Sequence, residues 1–363
     1  MDEPHGGNIY GAAERLGLDK SEIIDFSASI NPLGIPKAVL AGIKDSLRYI
    51  HNFPDPDAKQ LTRSLAEYFA VDPQSIVCGN GSTELIYLVI RSLNPEKILI
   101  PSPTFSEYER AAGSGRNIVN FALAAKNDFA VNPDTFIAAM AGGPNSLSYK
   151  TALTTSVDMA FLCNPNNPTG VILRKSDMMK IAEAARDLKC HLVVDEAFID
   201  FSPEDSLLTE VENNPYLIVL KSMTKFYALS GLRVGYGAFP VKVVEKIKEH
   251  KEPWTVNMLA QVSGIAALND ASYREDTFRM MRNEKKTIED GFRLLQIPYL
   301  PSAVNFYLIQ LDQARHVAES LENKGILIRE CSNFLGIGGS YARVAVKSNR
   351  DNMRLLKELA HYA

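Results

Sequence analysis

Long apolar runs are missing from this 363-residue sequence. None approaches the roughly 18 residues that a membrane-spanning helix requires. The opening stretch, MDEPHGGNIYG, lacks a charged segment followed by an apolar one, so it does not read as a secretory signal. An excess of charge of one sign is also missing: 39 Lys and Arg stand against 43 Asp and Glu. That balance argues against a nucleic acid or a membrane surface as a partner recruited by bulk charge. Cysteine is sparse, and Cys78, Cys163, Cys190 and Cys331 form no CxxC pair. Neither a disulfide framework nor a zinc site is expected, and a reducing cytoplasm suits the chain better. Cys78, Cys163 and Cys190 lie in or beside apolar runs and read as core residues. His51, His191, His250, His316 and His361 have no metal-like spacing, so no metal is expected. Repeats and low-complexity tracts are absent.

What is present is an ordinary globular composition, 46% hydrophobic and 23% charged, on a chain long enough for two domains. Short apolar runs at 75–79, 97–101, 159–163, 191–195, 217–221 and 233–239 read as strands. Helical patterns at 82–93 and 175–189 lie between some of them. Runs that are apolar throughout suit strands buried on both faces, and the alternation with helices predicts a mostly parallel, helix-covered sheet of an α/β fold. A helical region from 241 to about 295 comes next, then strands at 305–311, 326–330 and 341–347, with a helix expected on either side of 326–330. The segment 141–156 reads as a loop or a frayed helix end.

Four polar stations stand at strand ends. GNGSTE (79–84) joins a strand to a helix, and its glycines allow close approach of an anion to the helix N-terminus. A plain turn capped by Ser82 would leave the same trace. CNPNNPTG (163–170) is a proline-stiffened loop carrying amides. In VVDEAFIDF (193–201), Asp195 ends an apolar strand, where a carboxylate is costly unless paired with something such as a protonated ring nitrogen. In KSMTKFYALSGLRVGY (221–236), Lys225 has Ser222 and Thr224 beside it and Arg233 close behind. A buried lysine can lose its proton and condense with an aldehyde, and the arginine can grip a phosphate or a carboxylate.

CNPNNPTG, VVDEAF and SMTKFYALSGLRVGY together resemble the fold-type I pyridoxal-phosphate enzymes of the aminotransferase class I/II superfamily, over nearly the whole chain. The resemblance implies an α/β fold with a large cofactor-binding domain and a smaller α+β domain. The divisions expected are an arm at 1–37 joining the small domain, a large domain at 38–240 and a small domain at 241–363. It implies that Lys225 is the Schiff-base lysine, that Asp195 pairs with the cofactor's ring nitrogen, and that Asn167 bonds its phenolic oxygen. Ser222, Arg233, Ser82 and the backbone of Gly81 and Thr83 would hold the cofactor phosphate, and Phe105 would stack on the ring. Members are homodimers with sites at the subunit interface.

Two branches are similar: threonine-phosphate decarboxylases of cobalamin synthesis and histidinol-phosphate aminotransferases. HGGNIYGAAERLG (5–17), DFSASINPLGIP (25–36) with Ile30 in place of an acid, and Phe198 in place of a tyrosine look like the decarboxylase branch. That branch makes (R)-1-amino-2-propanol phosphate, precursor of the linker in the cobalamin nucleotide loop. His5, Asn31, Asn167, Arg329 and Arg343 are then the expected substrate contacts, with Trp254 and Asn257 as further wall candidates. Phe53 stands where both branches usually carry a tyrosine reaching the partner's cofactor. Amino transfer, phosphoserine decarboxylation and a non-enzymatic cofactor sensor remain alternatives. The sensor would need a DNA-binding module ahead of motifs that begin near residue 25.

Overall fold

The computed structural model describes residues 5–143 and 156–362. Its twelve strands among those residues are β1 (Ile24–Asp25), β2 (Ile76–Gly79), β3 (Lys97–Ser102), β4 (Asn117–Ala122), β5 (Met159–Cys163), β6 (His191–Asp195), β7 (Leu217–Ser222), β8 (Gly235–Ala238), β9 (Phe306–Gln310), β10 (Ile326–Leu327), β11 (Arg329–Glu330) and β12 (Tyr341–Ala345).

Seven of them form one sheet in the order β2-β8-β7-β6-β5-β3-β4, parallel except that β8 runs against both neighbours. Successive residues of the central strands go to opposite cores. Leu162, Val194 and Val219 join one cluster with the helix 175–187, while Phe161, Val193 and Ile218 join another with the helices 81–93 and 241–250. Both faces are apolar because both are covered, which is why the runs do not alternate in the sequence. Strand β4 has no counterpart among the apolar runs. It lies at the sheet edge and alternates accessible with buried residues, so it offers no continuous apolar run.

The second body is an antiparallel sheet, β11-β12-β9, with a separate core in which Tyr307, Ile309 and Val344 meet Ile288, Phe292 and Leu355. Strand β1 pairs with β10, so the N-terminal arm docks on this body. Two expectations need correction. Helices 241–250 and 258–268 do not belong with the small sheet: they pack on helices 81–93, 37–46 and 59–69 of the large body, because their apolar faces complete its core. The small core is built by the helix 271–294 and the elements C-terminal to it, together with Phe26 of the arm. No helix lies just after Glu330 either; the glycine-bearing turn 331–340 leads straight to β12, and the next helix is 349–359. In the stretch 141–156, the helix Pro133–Met140 ends in a turn at 141–143, and 144–155 lies outside the described residues. Among the described residues no helix is long and apolar enough to cross a membrane.

Candidate active site

The C-terminal ends of β3, β5, β6 and β7 deliver Phe105, Asn167, Asp195 and Lys225 to one cavity of about 390 Å3. This is the edge where open α/β sheets bind ligands. The reversed direction of β8 brings a further group to the same edge. Its first residue, Gly235, pairs with Gly79 at the end of β2 and with Ser222 at the end of β7. Arg233, just before it, therefore meets the start of the helix 81–93. Gly81 has φ +77°, and a Cβ there would lie 2.5 Å from Arg233 Nη2; a Cβ on Gly235 would lie 2.3 Å from the Ser82 nitrogen. Only glycine permits this approach. First-turn N–H groups, the guanidinium, and the Ser222 and Thr224 hydroxyls, 2.7 Å apart, gather there. Such a donor set fits a phosphate group.

Lys225 keeps part of its surface toward the cavity, yet protein encloses its amine closely. Burial, then the charges of Arg343 and Arg233, push its pKa down to about 8. Its Nζ sits 5.9 Å from the centroid of the Phe198 ring. Asp195 is buried. Its Oδ2 accepts from the Tyr108 hydroxyl at 2.7 Å and its Oδ1 from the Ala197 N–H at 3.0 Å. Burial raises this carboxyl above its ordinary value, and the two bonds work against that rise.

Opposite stand two arginines whose Cα positions are register partners, Arg329 on β11 and Arg343 on β12, both buried and both lining the cavity. Arg343 donates from Nη1 to Asn167 Oδ1 and from Nη2 to the Ser27 carbonyl at 2.6 Å. Its Nε is buried with no hydrogen-bond partner, an unmet donor that an anion would satisfy. Burial pushes this guanidinium down to about 10, still cationic at neutral pH. Arg329 donates to the Glu330 carbonyl at 2.7 Å and to Asn333 Oδ1 at 2.8 Å. The arm closes the remaining side: His5 Nε2 lies 2.8 Å from Glu107 Oε1, and its ring is 5.7 Å from that of Phe105.

Most residues singled out in the sequence thus meet in space. Ser82, Thr83, Phe105, Asn167, Asp195 and Ser222 line the cavity with Lys225, Arg233, His5, Arg329 and Arg343, and Gly81 lies behind Arg233. Asn31 does not line it. Its amide is consumed by the Phe226 carbonyl and Thr277 Oγ1, both at 2.8 Å, and by the Leu33 N–H. Its own N–H donates to the Lys225 carbonyl at 3.1 Å, so it braces the lysine loop instead. Trp254 packs on Phe53 at 5.2 Å, and Asn257 caps the helix 258–268; neither faces the cavity. Sequence reasoning passed over Tyr108, Glu107, Ser27 and Ser29. The last has a buried hydroxyl without a partner. The available signal was placement, since Tyr108 comes three residues after Phe105, and their rings meet edge to face at 5.7 Å. Among the described residues no cluster of His, Cys, Asp and Glu could hold a metal, and all four cysteines are free and buried.

Comparison with known proteins identifies the family. The model of the family described as aminotransferase class I and II matches residues 21–359. A threonine-phosphate decarboxylase from Salmonella typhimurium is 36% identical over 99% of this chain and 96% of its own length. A histidinol-phosphate aminotransferase from Caldanaerobacter subterraneus is 32% identical over 92% of this chain and 91% of its own. Among solved structures, the histidinol-phosphate aminotransferase from Clostridium acetobutylicum superposes with a TM-score of 0.84 at 30% identity, covering 93% of this chain and 98% of that one.

Proposed function

This chain belongs to the aminotransferase class I and II family, and from that premise we propose that it uses pyridoxal 5'-phosphate to decarboxylate O-phospho-L-threonine. The products are (R)-1-amino-2-propanol phosphate, for the cobalamin nucleotide-loop linker, and CO2. The observation that carries the reading is the paired arginines. Arg329 and Arg343 sit side by side across β11 and β12, and they suit a substrate with a carboxylate and a phosphate on one short skeleton. The 36% identity to a threonine-phosphate decarboxylase supports it. The same reading makes the protein a cytoplasmic homodimer acting on a phosphorylated amino acid.

In the reaction the bond from Cα to the carboxylate breaks, CO2 leaves, and Cα takes one proton. The cofactor, when bound, supplies the sink for the electron pair left behind. Its phosphate would be held by Ser82, Ser222, Arg233 and the N–H groups of Gly81 and Thr83, and Asn167 would meet its phenolic oxygen. Asp195 would keep the proton on its ring nitrogen, and Phe105 would cover its face. Lys225 Nζ, with a pKa of about 8, can hold or release a proton near neutral pH and serves Cα. Arg343 and Arg329 grip the two anionic ends with His5 over the phosphate. Fixing both ends sets which bond at Cα is aligned for cleavage. Phe198 presents no hydroxyl to the cofactor.

The relatives near 32% identity favour a second reading, amino transfer from histidinol phosphate. One assay separates the two. Holoenzyme receives O-phospho-L-threonine alone, O-phospho-L-serine alone, or histidinol phosphate with 2-oxoglutarate, and CO2 and glutamate are measured. CO2 from phosphothreonine without a keto acid is expected. Glutamate formed well above the rate of CO2 release overturns the decarboxylase.

A further inference from the structure

We propose that Glu107 is a positioning residue that ties His5 across the cavity mouth by its Nε2, leaving Nδ1 as the ring nitrogen available to the substrate's phosphate. The inference rests on the reading that His5 belongs to the substrate wall.

Glu107 is buried just beyond β3, at the start of the helix 107–112. A carboxylate there is costly without partners. It has three: Oε2 accepts from the Tyr87 hydroxyl at 2.9 Å, Oε1 accepts from His5 Nε2 at 2.8 Å, and Arg110 Nη1 stands 3.5 Å from Oε1. Burial raises its carboxyl, but the bonds from His5 and Tyr87 and the charges around it outweigh that and hold it below its ordinary value. It is therefore a standing acceptor.

Tyr87 fixes this acceptor from the helix 81–93, which also forms the phosphate cradle. His5 comes from the other body. Its arm is seated by the Gly7 N–H on Ser27 Oγ at 2.8 Å, and Gly6 lies so close that a Cβ would be 2.4 Å from the Ser27 carbonyl. Behind it the helix 9–16 buries Ala12 and Ala13 against Ile23 and Leu327. The arm's stem thus belongs to the small body and its tip to the large one, and the His5–Glu107 bond joins them. His5, Gly6, Ser27 and Arg329 line both the active cavity and a second cavity of about 650 Å3 outside it. The arm is the partition between the two, and releasing its tip opens the phosphate end to solvent. The seat is shared with the anion site, since the Ser27 carbonyl also accepts from Arg343 Nη2.

Hydrogen exchange on the holoenzyme without substrate, then kinetics with O-phospho-L-threonine, tests this. In Glu107→Ala the amides of Gly6 and Gly7 should exchange faster while the helix 9–16 keeps its protection. KM should rise about tenfold, the loss of one charged hydrogen bond, with a smaller fall in kcat. The double variant His5→Ala/Glu107→Ala should be no worse than His5→Ala alone, because Glu107 acts through His5. Glu107→Gln keeps an acceptor for Nε2 and should recover most of the loss; if the alanine variant does not fold, His5→Ala cuts the same bond from the other side and should show the same faster exchange at Gly6 and Gly7. Unchanged exchange at Gly6 and Gly7, or KM effects of the two single variants that multiply, would overturn the proposal. If the wild type releases no CO2, the functional reading falls, and the substrate-free exchange still decides whether Glu107 holds the arm.

Discussion

The Tyr108 hydroxyl donates to Asp195 Oδ2 at 2.7 Å, and the Tyr108 ring stacks on Phe161 of β5 at 4.7 Å. The carboxylate proposed to pair with the cofactor's ring nitrogen is thus aimed by an aromatic layer resting on the neighbouring strand. Tyr108→Phe keeps the layer and removes the donor. Turnover should fall about tenfold, the scale of a hydrogen bond to a charged group. Asp195→Asn, which no longer keeps the ring nitrogen protonated, should cost ~100-fold or ~3 kcal/mol. Steady-state rates and cofactor titrations check both; a near-normal Asp195→Asn enzyme would show that Asp195 is not the ring partner.

Lys225 should capture the cofactor in a pH-dependent way. Below about 8 its amine is protonated and cannot attack an aldehyde; above about 8 it is free. The rate at which the apoenzyme develops a visible absorption band on adding pyridoxal phosphate should rise with pH through that region. Arg343→Gln removes one of the charges depressing the lysine, so the midpoint should move upward. Lys225→Ala should show no such band and no turnover. The same shift sets a stability trend. The charged lysine weighs against the folded state fully below about 8, and the penalty fades as pH rises toward the ordinary lysine value.

Gly81→Ala should loosen the cofactor without unfolding the sheet. The new methyl would stand 2.5 Å from Arg233 Nη2 at a backbone angle of +77°. Displacing that guanidinium removes a charged contact, so affinity should fall about tenfold or more by equilibrium dialysis. An unchanged dissociation constant would take Arg233 out of the cradle.

Phe53 is 82% exposed and packs on Trp254, with Ile50 and Tyr49 also exposed nearby in sequence. We expect this segment to lie at a dimer interface, giving a dimer at micromolar concentration by sedimentation. Phe53→Tyr should leave cofactor affinity unchanged or raise it by supplying a donor. A loss of affinity would give Phe53 a packing role of its own, and a fully active monomer would contradict the dimer.

The chemistry was legible because each station is short and local. A glycine turn, a proline-stiffened asparagine loop, an aspartate ending an apolar strand and a lysine between hydroxyls each carry their meaning within about ten residues, and buried strands announce themselves as unbroken apolar runs. What misled was equally physical. The edge strand 117–122 alternates and so resembles loop, and the helices 241–250 and 258–268 come after the large sheet in sequence but are claimed by its uncovered apolar face. Asn31 has the look of a free ligand contact in the sequence, yet its amide is spent on Phe226, Thr277 and Leu33.

By itself, then, the sequence determined the motifs of the family, the candidate residues for its chemistry and the kind of sheet that holds them, because those properties depend on residue type and near neighbours. Only the tertiary structure decided which groups share a cavity. Strand order and the reversal of β8 set Arg233 beside Ser82, 151 positions away in the chain. The register of β11 on β12 set Arg329 beside Arg343. The contact between two bodies brought His5 to Glu107, 102 residues on. Such pairings arise from packing over long chain separations, and no local pattern encodes them.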